Sequence, residues 1–121
     1  MNYLVVFIGA GFGGIFRYFL SSLIQKQFPP YFPWGTLTVN LLGSFILGLM
    51  IFGLDEKGLI SPTLKLFIGI GFCGGFTTFS TFSWEVMSLL KSGIYSTAFL
   101  YAGLSFAATL LMTVLGFYIG K

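Results

Sequence analysis

The chain has 121 residues, of which 56% are hydrophobic and only 7% are charged, and its mean hydropathy is +0.96. A soluble domain carries roughly a quarter charged residues, so this composition excludes a water-soluble globular protein and predicts an integral membrane protein. The formal net charge of +3 comes from six basic and three acidic residues scattered along the chain, which excludes the clustered basic face of a nucleic-acid-binding protein.

Four apolar stretches, separated by short turns, follow one another along the chain. One bilayer crossing needs about 20 predominantly apolar residues. We therefore predict a single all-α transmembrane domain, residues 1–121, with four spans that contact membrane lipid. The predicted spans cover approximately residues 3–24, 34–54, 62–90 and 95–119.

The first span contains one charged residue, Arg17. A guanidinium at membrane depth must find an acceptor, a water-filled cavity or the membrane interface. Two interpretations stay open. Arg17 either extends its charge to the interface from the outer third of the helix, or has a buried role in which it attracts an anion or supports the structure.

The second span follows the prolines of the first turn, begins with the interfacial aromatic Trp34 and contains one strongly polar residue, Asn40. Ser44 lies one helical turn further on. The Asn40 amide offers two donors and an acceptor, so it can either line a polar pathway or form an interhelical hydrogen bond.

The third span is long for a single crossing, and its middle is unusual. Residues 69–83 read GIGFCGGFTTFSTFS, a run of glycines followed by a hydroxyl-rich stretch. This pattern predicts a helix that breaks part-way across the membrane. Phe79 and Phe82 are three residues apart and share a helix face, and an aromatic ring has a positive edge that favours an anion. Both rings could instead simply face lipid or the core.

Hydroxyl groups form a stripe on the fourth span, since they recur at i, i+4 positions. The stripe consists of Tyr101, Ser105, Thr109 and Thr113. These groups can supply the hydrogen-bond donors that rings alone would lack. The open alternative for each is a hydrogen bond to its own helix. Glu85, one turn beyond Phe82, is expected to edge a vestibule or to pair with a basic residue at the interface.

The orientation of the chain is poorly specified, because basic residues are balanced across the membrane. Lys57, Lys65 and Lys121 lie on the side of the termini, and Arg17, Lys26 and Lys91 lie on the other. Insertion in both orientations makes an antiparallel, dual-topology homodimer available, with its two-fold axis in the membrane plane.

In such a dimer the broken third helices would meet near the two-fold axis. Unwound backbone at membrane depth is tolerated only where it is buried in protein or lines water, and its freed carbonyls can bind a cation. We predict that the Gly74 and Thr77 carbonyls of both copies surround one small ion such as Na⁺. A kink without an ion is the open alternative.

Enzymatic sites are not supported by the residues available. The chain has no histidine, a single cysteine and one carboxylate at membrane depth, so it lacks metal-ligand sets and catalytic triads. Two similar segments, 8–16 and 68–76, each match G-x-G-x-x-G. Without a preceding strand these glycines indicate close helix packing rather than a dinucleotide site, and Cys73 has a packing role.

Three motifs together resemble the Fluc (CrcB) family of fluoride channels along essentially the whole chain. They are GGIFRY at 13–18, GTLTVNLLG at 35–43 and, most specifically, GFCGGFTTFSTFS at 71–83. The resemblance implies an antiparallel homodimer in the bacterial plasma (inner) membrane, with two pores that let F⁻ leave the cytoplasm passively. Arg17 matches the basic residue of the family's first helix.

The resemblance also implies roles for individual residues. Phe79 and Phe82 would be the pore phenylalanines that flank the ion, and Asn40 would be a pore-lining donor. Gly74 and Thr77 would give backbone carbonyls to a central, structural Na⁺. The polar track on or beside the pore would include Tyr101, Ser105 and Thr109.

Two other functions compete with a fluoride channel. A proton-coupled exporter of the small multidrug resistance type has a similar size and an ambiguous topology, but it needs a deep carboxylate in the first helix. The first span offers Arg17 and no acidic residue. The second alternative is an accessory membrane subunit that transports nothing.

Overall fold

The computed structural model describes every residue, Met1–Lys121, and all its regular structure is helical. The α-helices are α1 (Asn2–Gln25), α2 (Trp34–Leu47), α3 (Pro62–Lys65), α4 (Gly74–Phe76), α5 (Phe79–Lys91) and α6 (Tyr95–Gly120). Two π-helical segments, Gly48–Leu54 and Leu66–Cys73, continue α2 and join α3 to α4.

Together these elements form four long apolar helices. They cover Asn2–Gln25, Trp34–Leu54, Pro62–Lys91 and Tyr95–Gly120. Each is long and apolar enough to cross a membrane, which confirms the predicted number of candidate spans.

Local chemistry explains where the third span begins and ends. Ser61 caps its start, because its hydroxyl accepts a hydrogen bond from the Leu64 N–H at 3.1 Å, and Pro62 occupies the first helical position. At the other end, Gly93 adopts a positive φ of 79°. The Ile94 N–H then donates to the Leu89 carbonyl at 2.9 Å, which closes α5 and turns the chain into α6.

The two glycine-rich segments, 8–16 and 68–76, pack against each other. A Cβ atom on Gly9, Gly13 or Gly75 would overlap backbone atoms of the facing helix. Close helix packing, as the sequence predicts, is therefore the role of these glycines. Gly11 and Gly14 do not have this role, because a Cβ atom on either would meet only open space.

The third span is broken at Thr77 and Thr78, as the sequence predicts. Both residues have extended backbone, with φ and ψ of −90° and 158° at Thr77 and −152° and 125° at Thr78. The Thr78 hydroxyl accepts a hydrogen bond from the Thr81 N–H at 3.1 Å and caps the start of α5. We refer to Thr77 and Thr78 as the break.

Little of the chain is buried within one copy. Only 18 of 121 residues are buried, and the largest fully buried side chains are Tyr101 and Val39. Many large apolar side chains lie on the outer surface of the helices. This surface fits a lipid environment or a second protein subunit rather than water.

Candidate functional site

A groove of about 210 Å³ lies beside the break. Helix α2, the break, α5 and α6 each contribute to its wall. It is lined by Asn40, Ser44, Thr77, Thr78, Phe79, Phe82, Ser105, Phe106 and Thr109. Most of the residues proposed for the fluoride pathway from sequence are thus brought together here, and Tyr101 lies next to the groove against Phe82.

Asn40 holds the break in place from α2. Its Nδ2 donates to the Thr78 carbonyl at 3.1 Å, and its Oδ1 accepts from the Thr78 N–H at 2.8 Å. These bonds satisfy both backbone groups of a residue that no helix includes. Asn40 therefore both lines the groove and forms an interhelical hydrogen bond, and one of its amide hydrogens is left for another acceptor.

The break deprives two carbonyls of their helical donors. In a continuous helix the Thr78 N–H would face the Gly74 carbonyl, but here it donates to Asn40. Likewise the Thr81 N–H, the helical partner of the Thr77 carbonyl, donates to the Thr78 hydroxyl. The Gly74 and Thr77 carbonyls are the pair that the sequence predicts as cation ligands.

Arg17 contacts the same region from α1. Its Nε donates to the Gly75 carbonyl at 3.1 Å, which gives a third carbonyl near the break a charged donor. Arg17 is partly buried. This contact favours the structural interpretation of Arg17 over a side chain that only extends to the membrane interface.

Aromatic rings form one side of the groove. The Phe79 and Phe82 ring centroids are 5.4 Å apart, and the Phe82 ring lies 5.2 Å from that of Tyr101. Phe106 adds another ring from α6. Phe79 and Phe106 are 75% and 70% exposed in a single copy, so the groove is open on this side.

The hydroxyl stripe of α6 divides into free and occupied groups. Thr109 donates to the Ser105 carbonyl at 2.7 Å, and Thr113 donates to the Thr109 carbonyl at 3.1 Å. For these two threonines the back-bonding interpretation is confirmed. The Ser105 hydroxyl, in contrast, is buried and has no hydrogen-bond partner. Ser105 is therefore the hydroxyl of this stripe that is free to bind a ligand in the groove.

Of the two roles that the sequence left open for Glu85, a pair with a basic residue is not formed in the structure. Its two carboxylate oxygens accept hydrogen bonds from the Thr36 and Tyr101 hydroxyls, each at 2.9 Å. The only ion pair in the structure joins Lys65 and Asp55 at the turn between the second and third spans, with 2.8 Å between Nζ and Oδ2.

Sequence reasoning missed two residues of this region, Thr36 and Phe106. Thr36, which binds Glu85, lies one helical turn before Asn40, and Ser44 lies one turn after it. A stripe of polar residues at i, i+4 and i+8 on an apolar helix was a usable signal for Thr36. Phe106 had none, because phenylalanine is frequent throughout the chain.

The fold and the groove define a class of protein. Four apolar helices, one of which is discontinuous at membrane depth and lines a polar and aromatic groove, are typical of multi-pass membrane channels and transporters. No group of three or more histidine, cysteine, aspartate or glutamate side chains is placed to hold a metal ion.

Comparison with known proteins then identifies the family. Residues 4–117 match the family model described as CrcB-like protein, Camphor Resistance (CrcB). A protein of Gloeothece citriformis is 43% identical over 121 residues, covering 100% of this chain and 98% of the relative. Relatives from Phocaeicola vulgatus and Thermus thermophilus are each 42% identical, over 98% of this chain and 97% and 94% of their own lengths.

The chain belongs to the CrcB family, which confirms the resemblance found in its motifs. All three relatives carry the name fluoride-specific ion channel FluC. Membership in a family of ion channels also agrees with the prediction that the chain is not an enzyme.

Proposed function

We propose that this chain forms a fluoride-selective channel through which F⁻ leaves the cytoplasm passively. The observation that carries the proposal is the meeting of Asn40, Phe79, Phe82, Ser105 and Thr109 in one groove. Its support from outside the structure is the name of the full-length relatives.

The groove supplies what a small, strongly hydrated anion needs. Hydrogen-bond donors must replace the water that F⁻ loses, and the buried Ser105 hydroxyl and the remaining Asn40 amide hydrogen are such donors. The edges of the Phe79 and Phe82 rings carry partial positive charge and can face the ion from the other wall. Thr109 contributes an acceptor rather than a donor, since its hydrogen is directed to the Ser105 carbonyl.

A complete pore requires a second copy of the chain. The exposed Phe79 and Phe106 rings leave the groove open to its surroundings, where lipid would exclude an ion. The balanced basic residues favour insertion in both orientations, and we propose an antiparallel homodimer in the bacterial inner membrane. Crosslinking single cysteines placed on opposite sides of the membrane would test this arrangement.

The break also suits a structural Na⁺. The carbonyls of Gly74 and Thr77 lack their helical donors, and a Cβ on Gly74 would meet open space, so an ion or a second copy can approach. One copy offers too few oxygens for Na⁺, and two copies related by a two-fold axis would offer both pairs. An experimental structure of the dimer should show a non-water density between these carbonyls. A lipid-filled or empty position would contradict the ion.

The experiment that tests the proposed function is a fluoride-electrode measurement on proteoliposomes. Vesicles loaded with KF and treated with a potassium ionophore should release F⁻ rapidly, whereas KCl-loaded vesicles should retain Cl⁻. The release should need no proton gradient. Release no faster than from protein-free vesicles, or release that requires a proton gradient, would contradict a passive channel.

A further inference from the structure

The loop between α1 and α2, residues 26–33, is fastened to α1 by one side chain. The Gln25 Nε2 donates to the Phe32 carbonyl at 3.1 Å, and its Oε1 accepts from the Gly35 N–H at 3.1 Å. The amide thus joins the last residue of α1 to the start of α2. We refer to this pair of hydrogen bonds as the Gln25 clamp.

The backbone around the clamp is further constrained. Pro33 has φ −80° and ψ 71°, the conformation of an inverse γ-turn, and the Trp34 N–H donates to the Phe32 carbonyl at 2.9 Å. Gly35 lies so close to the Ser21 backbone that a Cβ atom there would overlap it. The loop therefore holds Phe32 and the first turn of α2 in a defined position relative to α1.

The two residues that the clamp holds, Phe32 and Gly35, each adjoin a residue that donates a hydrogen bond to Glu85. On one side, the Phe32 and Tyr101 rings pack edge to face, with centroids 5.3 Å apart and ring planes at 81°. Tyr101 is fully buried and donates to Glu85. On the other side, Thr36 follows Gly35 directly and gives Glu85 its second hydrogen bond.

Tyr101, which donates to Glu85, lies beside the wall of the groove. The Tyr101 ring contacts Phe82, and Ser105 lies one helical turn further along α6. A carboxylate that lost its hydroxyl partners would be free to turn toward the groove, where its negative charge would repel an anion. Holding Glu85 with two donors keeps this charge in one place.

We propose that Gln25 and Phe32 are positioning residues of the ion pathway. They hold Thr36 and Tyr101 on Glu85, and so fix the position of the carboxylate and of the Phe82 ring in the wall of the groove. Neither residue touches the ion. This inference rests on the proposed function, because its measured effect is on fluoride flux.

Gln25→Leu removes both hydrogen bonds of the clamp while keeping the side-chain volume. We expect fluoride flux in proteoliposomes to fall by about tenfold, on the scale of a pair of lost hydrogen bonds. Gln27→Leu is the matched control, since Gln27 is exposed and its side chain makes no hydrogen bond, and its flux should equal that of the wild type. Phe32→Leu should lower flux, and Phe32→Tyr, which keeps the ring, should restore it.

A double-mutant cycle separates positioning from general stability. In a Glu85→Gln background the carboxylate charge is gone, so Gln25→Leu should change flux by less than about twofold. The same loss in both backgrounds would show a merely structural role and overturn the inference. If Glu85→Gln conducts too little F⁻ to measure, the cycle is repeated with Tyr101→Phe.

The outcomes also distinguish this inference from the proposed function. Wild-type protein without fluoride flux would refute the channel itself. Wild-type flux that Gln25→Leu leaves unchanged would refute only the positioning role.

Discussion

The two halves of the third span, residues 62–76 and Phe79–Lys91, are held by different kinds of contact. The first half lies against α1 with backbone touching backbone at Gly9, Gly13 and Gly75. The second half has no buried residue, and it reaches its neighbours through long side chains. Among its contacts are the hydrogen bonds of Glu85 and the ring pair of Phe82 and Tyr101.

The first half thus supports the fold, whereas the second half helps to form the candidate functional site. Close backbone packing tolerates almost no change, and it fixes the position of the break relative to α1. Side-chain contacts leave room for a groove, and they place hydroxyl, amide and aromatic groups around it. Substitutions in the first half should therefore affect folding, and substitutions around the second half should affect flux in a protein that still folds.

The largest effect is expected from Gly13→Ala. The new Cβ would overlap the Phe72 carbonyl, and separating the two backbones should cost about 3 kcal/mol of stability, at the upper end for overpacking. The temperature at which the protein aggregates in detergent should fall steeply. Gly14→Ala is the control, because its Cβ meets only open space. Equal stability of the two variants would argue against backbone packing as the support.

A second test concerns the link between the break and α2. Asn40→Leu leaves the Thr78 N–H and carbonyl without partners at membrane depth, at about 1–3 kcal/mol for each group. Fluoride flux should fall by roughly a hundredfold, on the scale of these lost bonds. Thr38→Val removes a hydroxyl that only back-bonds to the Trp34 carbonyl, and it should conduct normally. Normal flux from Asn40→Leu would show that the break needs no amide.

Phe82→Ile examines the aromatic wall of the second half. The substitution keeps an apolar side chain but removes the ring edge, so flux should fall by about tenfold, on the scale of an aromatic interaction. The dimer should remain intact by size-exclusion chromatography. Phe99→Ile, at a position on α6 that is 71% exposed and outside the groove, should have wild-type flux. Unchanged flux from Phe82→Ile would count against ring edges as part of the pathway.

The smallest effects should distinguish two neighbouring hydroxyls of α6. Ser105→Ala removes a buried donor without a partner, and flux should fall by about fivefold, close to the net worth of one hydrogen bond. Thr109→Val removes a hydroxyl whose hydrogen is directed to its own helix, so flux should change by less than about twofold. A larger loss from Thr109→Val than from Ser105→Ala, measured by the fluoride electrode, would reverse the assignment of donors.

The sequence by itself determined the class of protein, the four apolar spans and the break in the third. Each of these depends on local composition: the length of an apolar run, or a glycine-rich segment followed by hydroxyl residues. The motif at 71–83 also determined the family, since its spacing is specific. Sequence reasoning further selected most of the polar and aromatic residues that line the groove.

Only the tertiary structure decided which polar groups are partnered. It directs Asn40 to both backbone groups of Thr78, Arg17 to Gly75, and Glu85 to hydroxyls rather than to a basic residue. It also leaves the Ser105 hydroxyl without a hydrogen-bond partner, whereas the Thr109 hydroxyl donates to the Ser105 carbonyl. Such pairings depend on the rotation and register of one helix against another. Residues far apart in the chain set that geometry together, and no local pattern contains it.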